Sequence, residues 1–193
     1  PLSPMELGGM SRWHPFIQLV QAAENYAYRS ADSVISMLPK VREYMESHGM
    51  APHKLCIVPN GIDPDEWQCG GVSLPSIVVD EINQLKLDGY ATVGYAGSHG
   101  VANALDTLLD AAKLMQDEKV AFVLVGGGPE KAALQKRCCS EGLRNVRFMG
   151  PVLKEQIPTL LQCFDVAYIG LQRQPLFRFG IAPNKLMDYM MAG

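Results

Sequence analysis

The run Val120–Val125 restricts the fold more than any other part of this chain, because six apolar residues follow one another without a polar side chain. A strand with one face in water alternates apolar and polar residues, so an unbroken, valine-rich run indicates a strand that is buried on both faces. Residues 126–130, with the sequence GGGPE, then form a turn that opens a helix predicted to reach about Glu141. The pattern predicts a central strand of a parallel sheet covered by helices.

The same order of strand, turn and helix recurs on both sides of this run. Residues 91–100 predict a strand that ends in a glycine-rich loop, and residues 104–112 place leucine and alanine at helical spacing after it. The later elements are predicted as strands at 145–150 and 165–169 with a helix at 157–163 between them. Repeated steps of this kind predict a right-handed, doubly wound α/β layer whose ligand lies at the carboxyl ends of the strands.

The first third of the chain has the same alternation on a smaller scale. Its elements are predicted as a loop at 1–14, a helix from Pro15 to about Ser30, a strand at 31–37, a helix from Pro39 to Gly49 and a strand at 54–58. This order is typical of the end of a parallel α/β layer. Residues 66–89 contain Gly70-Gly71, Pro75 and a mixed helix, as a linker would.

These patterns predict a division of the chain into three parts. Residues 1–65 are the tail of an N-terminal Rossmann-like domain, residues 66–89 are a linker and entry segment, and residues 90–193 are a C-terminal domain that continues past the chain end.

Composition argues against several classes of function. A net charge of −3 and a pI near 5.8, without a basic and aromatic stripe, disfavour nucleic acid as a partner. The five cysteines form no CxxC pair, so we expect reduced thiols in a cytoplasmic protein and no zinc site. No apolar run of spanning length and no signal peptide is visible. Because the chain starts without methionine and stops at Gly193, we expect a fragment of a larger protein.

Residues 175–193 carry the strongest functional signal. Pro183 disfavours helix at the residue before it, so a loop should end there and a helix should begin at about Asn184. The free amides and positive dipole of that helix end, together with the charge of Lys185, suit a phosphate or diphosphate. Asp188 lies one turn further on and could accept hydrogen bonds from ribose hydroxyls.

The same spacing also fits an amphipathic core helix. In that alternative, Lys185 and Asp188 form a surface pair. In either case the apolar residues of the helix pair at helical spacing and would be buried on its opposite side, namely Leu186, Met187, Met190 and Met191.

The segment APNKLMDYMMAG at residues 182–193 resembles the signature that closes the nucleotide-sugar site of retaining GT-B glycosyltransferases of family 4, within the group 1 glycosyl transferases. The resemblance is strongest to enzymes that build bacterial surface polysaccharides such as O-antigen and capsule. Segments at Asn60, Gly97 and Gly126 match the same family in order. Many members carry two glutamates in the terminal element; here the second falls on Asp188 and the first position is Gly180.

The resemblance implies a GT-B fold, of which the chain contains mostly the C-terminal, donor-binding domain. It implies transfer of a hexose-type sugar from a UDP- or GDP-sugar to a saccharide or lipid-linked acceptor, with retention and without a protein-bound metal or other cofactor. The missing N-terminal half would hold the acceptor, so the fragment alone is expected to bind the donor and transfer nothing. That half could also bring the enzyme to the inner face of the membrane.

The resemblance and the local chemistry together name the site residues. Three residues are expected to stabilise the departing diphosphate, namely His99, Arg178 and Lys185. The remaining donor-binding candidates are Gly97, Ser98, Gly100, Val152, Pro183, Asn184, Leu186 and Asp188. Val152 would hold the base through backbone groups. For His99 a solvated loop position is the equal alternative.

Three alternative functions remain open from the sequence. A GT-B nucleotide-sugar epimerase would share the diphosphate site but needs acid and base residues that we do not identify. An NAD-dependent oxidoreductase would explain the glycine loops, although the expected ribose acid after the second strand is replaced by the turn at 126–130. A non-catalytic nucleotide-sugar-binding subunit would explain Gly180. Asp63-Pro64-Asp65 resembles a metal motif, but a turn before a proline explains these acids.

Overall fold

The computed structural model describes residues 1–6, 8–68 and 72–193. The described chain divides into two compact units. The first unit contains residues 1–61 and 173–184, and the second unit contains residues 62–172 and 185–193. Residues 173–184 therefore group with the first unit, whereas the sequence places them in the C-terminal domain. The predicted glycine pair at 70–71 and Cys69 lie outside the described residues.

The helices of the described chain are α1 (Leu2–Glu6), α2 (Pro15–Ser30), α3 (Arg42–Ser47), α4 (Pro64–Gln68), α5 (Ser76–Leu87), α6 (Leu105–Leu114), α7 (Lys131–Glu141), α8 (Ile157–Leu161) and α9 (Asn184–Ala192). Its strands are β1 (Val34–Ser36), β2 (Leu55–Ile57), β3 (Ala91–Ala96), β4 (Val120–Val125), β5 (Val146–Met149) and β6 (Val166–Ala167). Short 3₁₀ turns occupy Pro52–Lys54, Val101–Asn103, Lys154–Gln156 and Pro175–Phe179.

The second unit contains a parallel sheet in the order β5-β4-β3-β6. Its strand β4 is buried along almost its whole length, as the apolar run predicts. Alternate residues of β4 serve the two faces: Val123 packs with the cluster on helices α5 and α8, and Leu124 packs with the cluster on α6 and α7. Both faces of the sheet are therefore covered, and the predicted doubly wound layer is confirmed.

Hydrogen bonds between Thr92 and Asp165 fix the edge strand β6 beside β3. The Asp165 carboxylate accepts from the backbone N–H of Thr92 at 2.7 Å and from its hydroxyl at 2.8 Å. These bonds hold the pKa of Asp165 below its ordinary value, and the bond from the backbone N–H has the larger effect. Since Thr92 is fully buried, the carboxylate satisfies polar groups that would otherwise lack a partner.

The first unit pairs β1 and β2 in parallel, with Val34 opposite Leu55. Helix α2 begins at Pro15, where the His14 ring accepts the N–H of Phe16, and ends at Ser30 as predicted. Two predictions for this unit are wrong. Residues 2–6 form helix α1 instead of loop, and α3 begins at Arg42 rather than at Pro39.

Helix α9 begins at Asn184 as predicted, but none of its residues is fully buried, and the residues that pack partly against the core are Tyr189, Met191 and Ala192. Leu186 is 39% and Met190 is 69% exposed, so the prediction that both are buried is wrong. The reason is polar: the Tyr189 hydroxyl accepts the N–H of Ala96 at 3.3 Å, which turns Tyr189 toward β3. Because Lys185 precedes Tyr189 by one turn, it faces the same strand. Within the described residues, no helix combines the length and the apolar character needed to cross a membrane.

Candidate functional site

The strand order places a crevice at the carboxyl end of β3. From β3 the chain proceeds outward to β4 and β5, and it then returns to add β6 on the other side of β3. Such a reversal of strand order is where open α/β sheets bind their ligands. The loop that follows β3, residues 97–100, lies at this point and is called here the first glycine loop.

The first glycine loop packs against residues 126–130, the second glycine loop, through backbone atoms. The N–H of Gly97 donates to the carbonyl of Val125 at 2.9 Å, and the N–H of His99 donates to the carbonyl of Gly127 at 2.8 Å. Gly126 has a φ of +143°, and a Cβ there would lie 1.9 Å from the Gly97 oxygen. Only glycine allows this approach, so the glycines serve the packing of the two loops.

The amides of the first glycine loop alternate between bonded and open. The amide of Gly97 donates to the last residue of β4 and that of His99 donates to the second glycine loop, whereas those of Ser98 and Gly100 have no acceptor within the described part of the chain. Ser98 is exposed and Gly100 is partly exposed. Open amides at the end of a parallel strand are suited to an anion. Two of the predicted donor-binding residues therefore present the group that the prediction requires.

Lys185 reaches the first glycine loop and joins a closed set of hydrogen bonds. Its Nζ donates to the Tyr95 hydroxyl at 2.6 Å and to Oδ1 of Asn103 at 3.1 Å. The Tyr95 hydroxyl and the Asn103 amide then both donate to the carbonyl of Ser98, at 2.6 and 2.9 Å. A Cβ on Gly97 would lie 2.5 Å from Cε of Lys185, so the lysine stem lies directly on the loop.

The Lys185 ammonium is half-buried and has no counterion. No ion pair in the described residues involves it, and the alternative of a Lys185–Asp188 surface pair is therefore wrong. Desolvation lowers the pKa of Lys185 to about 8. An ammonium has three N–H donors, and only two have acceptors in these residues. One donor and one positive charge are left for a ligand.

His99 lies in the interior of the second unit. Its side chain is 0% exposed, between the rings of Tyr95 and Phe148, so the alternative of a solvated loop histidine is wrong. Neither ring nitrogen has a hydrogen-bond partner in the described residues. The pKa of His99 is lowered to about 4. Burial is the largest cause, and the positive charges of Lys131 and Lys185 contribute further. The ring is therefore neutral at pH 7, and a direct role in stabilising a diphosphate stays a prediction.

Arg178 belongs to the first unit and already has a partner. Its guanidinium pairs with Glu6 at 2.8 Å, donates to the carbonyl of Pro175 at 2.7 Å and stacks on the ring of Phe179. Nearly half of its side chain is exposed. A ligand at Arg178 would have to compete with the carboxylate of Glu6.

The loop before α9 is held by Asn60, which lies in one of the motif segments. The Asn60 amide donates to the carbonyl of Ala182 at 2.8 Å and to Oδ1 of Asn184 at 2.6 Å. These bonds flank Pro183 and fix the turn into the helix. Asn60 is thus a positioning residue for two of the donor-binding candidates, Pro183 and Asn184.

The remaining candidates lie on the surface of the second unit. Leu186 is exposed, and Asp188 is partly exposed without a hydrogen bond or ion pair in the described residues. Val152 follows β5 and packs partly against the core.

The acids at Asp63 and Asp65 belong to a turn. Asp63 accepts the N–H of Asp65 at 2.9 Å where α4 begins, as expected if these acids serve a turn and not a metal site. The described residues contain no group of three or more His, Cys, Asp or Glu side chains that could hold a metal ion.

Sequence reasoning missed Tyr95, Asn103 and Tyr189. Tyr95 and Tyr189 read as ordinary strand and helix residues, and Asn103 lies in a 3₁₀ turn. No local pattern distinguishes them, because their partners are distant in sequence: Lys185 is 90 residues from Tyr95 and 82 from Asn103. Only the fold brings these groups together.

A family model of the group 1 glycosyl transferases matches residues 90–193, which is more than half of the chain. The chain belongs to this family. A second model, of glycosyltransferase family 4, matches residues 9–66. The predicted family is thereby confirmed.

Curated relatives of this group 1 chain carry glycosyltransferase names. WcaI of Escherichia coli (strain K12), named as a colanic acid biosynthesis glycosyl transferase, is 26% identical over 189 residues, which are 97% of this chain and 45% of WcaI. WbjE of Pseudomonas aeruginosa, named as a glycosyltransferase, is 25% identical over 178 residues, which are 91% of this chain and 42% of WbjE. The chain therefore spans less than half the length of these relatives.

Solved structures share the fold. HepE of Anabaena, crystallised with UDP and glucose, is 19% identical with a TM-score of 0.68, and the match covers 96% of this chain and 47% of HepE. WaaG, a glycosyltransferase involved in lipopolysaccharide biosynthesis, is 16% identical with a TM-score of 0.68, and the match covers 94% and 48%. These likenesses confirm the GT-B fold.

Proposed function

We propose that this chain supplies the donor site of a glycosyltransferase that moves a sugar from a UDP- or GDP-sugar to a saccharide or lipid-linked acceptor. The first glycine loop and Lys185 would hold the diphosphate. Asp188 would accept hydrogen bonds from the ribose hydroxyls, and Val152 would contact the nucleotide base through its backbone groups. We place the enzyme in the cytoplasm, at the inner face of the membrane when its acceptor is lipid-linked.

One observation carries the proposal: a half-buried ammonium without a counterion is connected by hydrogen bonds to the loop that carries two open amides. A desolvated charge is costly unless something compensates for it, and the two neutral acceptors of Lys185 compensate only in part. A diphosphate would supply the missing negative charge, and the amides of Ser98 and Gly100 would supply further donors. Burial lowers the pKa of Lys185, as expected for a desolvated ammonium without a counterion.

The comparisons support the class of donor. HepE has been crystallised with UDP and with UDP-glucose, and its fold covers nearly all of this chain. WcaI is named for colanic acid biosynthesis, and WaaG is described as involved in lipopolysaccharide biosynthesis. A nucleoside diphosphate sugar is therefore the ligand that agrees with both the local charge and the family.

The chemistry follows from stabilising the leaving group. When the bond from the anomeric carbon to the diphosphate oxygen breaks, negative charge grows on the diphosphate. The acceptor oxygen forms the new bond to the anomeric carbon, and its proton passes to an oxygen of the departing diphosphate. Lys185 and the open amides would stabilise that charge in a partly desolvated site, where such donors act most strongly. We propose that this charge stabilisation makes a protein-bound metal unnecessary and that the anomeric configuration is retained.

Calorimetric titration tests the proposal. The chain would be titrated with UDP, GDP, ADP and NAD, together with the variants Lys185→Met and Asp188→Asn. Lys136→Met is the matched control, because Lys136 is exposed and has no ion pair in the described residues. We expect one nucleoside diphosphate to bind, with about 10- to 100-fold weaker binding after Lys185→Met, since a charge-assisted hydrogen bond contributes about 1.5–3 kcal/mol.

Other outcomes would change the assignment. Preferential binding of NAD would turn the proposal to an oxidoreductase. Unchanged nucleotide binding in Lys185→Met would remove Lys185 from the site. A loss of the same size in Lys136→Met would mean that the effect is general electrostatics and not a contact.

A further inference from the structure

Tyr95 occupies an unusual position for a strand residue of an apolar sheet. Its side chain is fully buried in the second unit, yet its hydroxyl lies at the end of β3 and bonds on two sides. The hydroxyl donates to the carbonyl of Ser98 at 2.6 Å and accepts from Nζ of Lys185 at 2.6 Å. The Lys185 nitrogen also lies 4.3 Å from the centroid of the Tyr95 ring.

The hydroxyl has a defined direction in this arrangement. Its single hydrogen is used on the Ser98 carbonyl, so its lone pairs are available to the ammonium. Asn103 completes a ring of hydrogen bonds: its amide N–H donates to the same carbonyl, and its oxygen accepts from Lys185. This ring of hydrogen bonds couples the position of Nζ to the backbone of the first glycine loop, where the open amides lie.

We infer that Tyr95 is a positioning residue of the donor site, whose hydroxyl holds the Lys185 ammonium beside the open amides and leaves one N–H for a phosphate oxygen. The inference rests on the proposed function for its ligand. It goes beyond that function because Tyr95 touches neither phosphate nor sugar in this role: it acts through Lys185.

Phenylalanine could not replace Tyr95 in this role. The ring would keep its place in the core and its contact with the ammonium, but Lys185 would retain Asn103 as its only acceptor among the described residues. An ammonium that has lost a hydrogen-bond acceptor in a desolvated place is less stable in its charged form. The Tyr95→Phe variant should therefore deprotonate Lys185 at a lower pH and bind anions over a narrower range.

Five other titratable groups interact with Tyr95 or with its neighbours His99 and Tyr189. These groups are Tyr168, Tyr189, His99, Lys131 and Asp188. Burial raises the pKa values of both tyrosines, and His99 is neutral from about pH 4 upward, so none of these three titrates between pH 6 and 9. A binding change near pH 8 therefore reports Lys185.

The experiment compares Tyr95→Phe with Tyr168→Phe. Tyr168 is the matched control, since its hydroxyl also donates to a single loop carbonyl, that of Ala104, at 3.1 Å. UDP affinity would be measured by calorimetry from pH 6 to 9.5 for the wild type and both variants. We expect Tyr95→Phe to weaken binding about tenfold or more at pH 7.5, and its high-pH midpoint to fall by about one unit, as loss of one hydrogen bond to a charge predicts. Tyr168→Phe should leave the midpoint unchanged.

Two results separate the possible failures. If the wild type binds UDP with a midpoint near pH 8 and Tyr95→Phe keeps that midpoint, the positioning role is overturned and the proposed function stands. If the wild type binds no nucleoside diphosphate, the proposed function fails first. A lysine-specific NMR titration of the unliganded wild type and of Tyr95→Phe gives a test that needs no ligand: an unchanged pKa of Lys185 in the variant would overturn the inference.

Discussion

Lys185 and Arg178 are both cations of the last twenty residues, and their surroundings differ in the feature that matters for anion binding. Arg178 is exposed and already pairs with Glu6 at 2.8 Å. Lys185 is half-buried, bonds only to neutral acceptors and has a lowered pKa. A paired cation gains little from a new anion, whereas an unpaired, desolvated cation gains much. We therefore expect the cation without a counterion, rather than the paired one, to bind a phosphate.

Charge reversal should produce the largest difference between the two sites. We expect Lys185→Glu to weaken UDP binding by more than about 100-fold, because it replaces a charge-assisted bond with repulsion. Arg178→Glu should change the affinity by less than about threefold, on the scale of an exposed pair. Calorimetry on both variants measures the difference. Equal losses would break the comparison and support the predicted diphosphate contact of Arg178.

A smaller effect is expected from the glycine on which Lys185 lies. Gly97 has a φ of +143°, and an added Cβ would lie 2.5 Å from Cε of the lysine, so Gly97→Ala should displace the ammonium. We expect about tenfold weaker UDP binding, since one charge-assisted contact is disturbed but not removed. Gly127→Ala is the control, because no atom lies within 4 Å of its Cβ position. Similar losses in both variants would contradict the specific contact.

UDP affinity and the stability of the ligand-free protein should change in opposite directions as the pH rises. UDP affinity should fall by up to about tenfold between pH 8 and 9, as Lys185 loses its proton above a pKa of about 8. The stability of the ligand-free protein should move the other way. Because the folded pKa lies below the unfolded value of 10.5, the unfolded chain binds more protons between these values, and the contribution of Lys185 to stability rises with pH there.

Comparing the wild type with a variant that lacks the Lys185 ammonium separates the contribution of Lys185 to stability from the titration of other groups. Urea unfolding of the wild type and of Lys185→Met at pH 7.5, 8.5 and 9.5 gives the difference in stability at each pH. That difference should shift in favour of the wild type as the pH rises. A flat difference would show that Lys185 has an ordinary pKa, and the contrast with Arg178 would then lose its electrostatic basis.

The smallest effect is expected at the Glu6–Arg178 pair. Glu6→Gln should lower the free energy of unfolding by less than about 1 kcal/mol, because the pair is partly exposed and screened by salt. It should also free Arg178 for an anion, so inorganic phosphate should stabilise the variant more than the wild type in a thermal melt. If phosphate stabilises both equally, Glu6 does not mask the guanidinium.

Much of the fold could be predicted because the signals are local. The apolar run of β4 indicates a central strand by itself, and Pro183 places the start of α9 within one residue. The buried face of α9 could not be predicted, since Leu186 and Met190 satisfy helical spacing yet lie at the surface. A bond between Tyr189 and the backbone of Ala96 sets the rotation of that helix, and the helix sequence contains no trace of it.

The candidate site divides in the same way. Lys185, Ser98 and Gly100 were recognised from residue type and loop pattern, and the structure brings them to the carboxyl end of β3. Their functional roles stay predictions until ligand binding is measured. His99 shows where pattern fails: a histidine between glycines reads as a loop residue in water, whereas packing of the two glycine loops encloses its ring completely.

By itself, the sequence determined the class of fold, the order of its strands and helices and the family, because these depend on the periodicity of apolar residues and on short motifs along the chain. Only the tertiary structure decided which cation lacks a counterion and which tyrosine holds it. Burial and pairing involve groups that lie far apart in the chain. Tyr95 and Lys185 are 90 residues apart in the sequence, and the fold built on the parallel sheet, rather than any local pattern, brings them together.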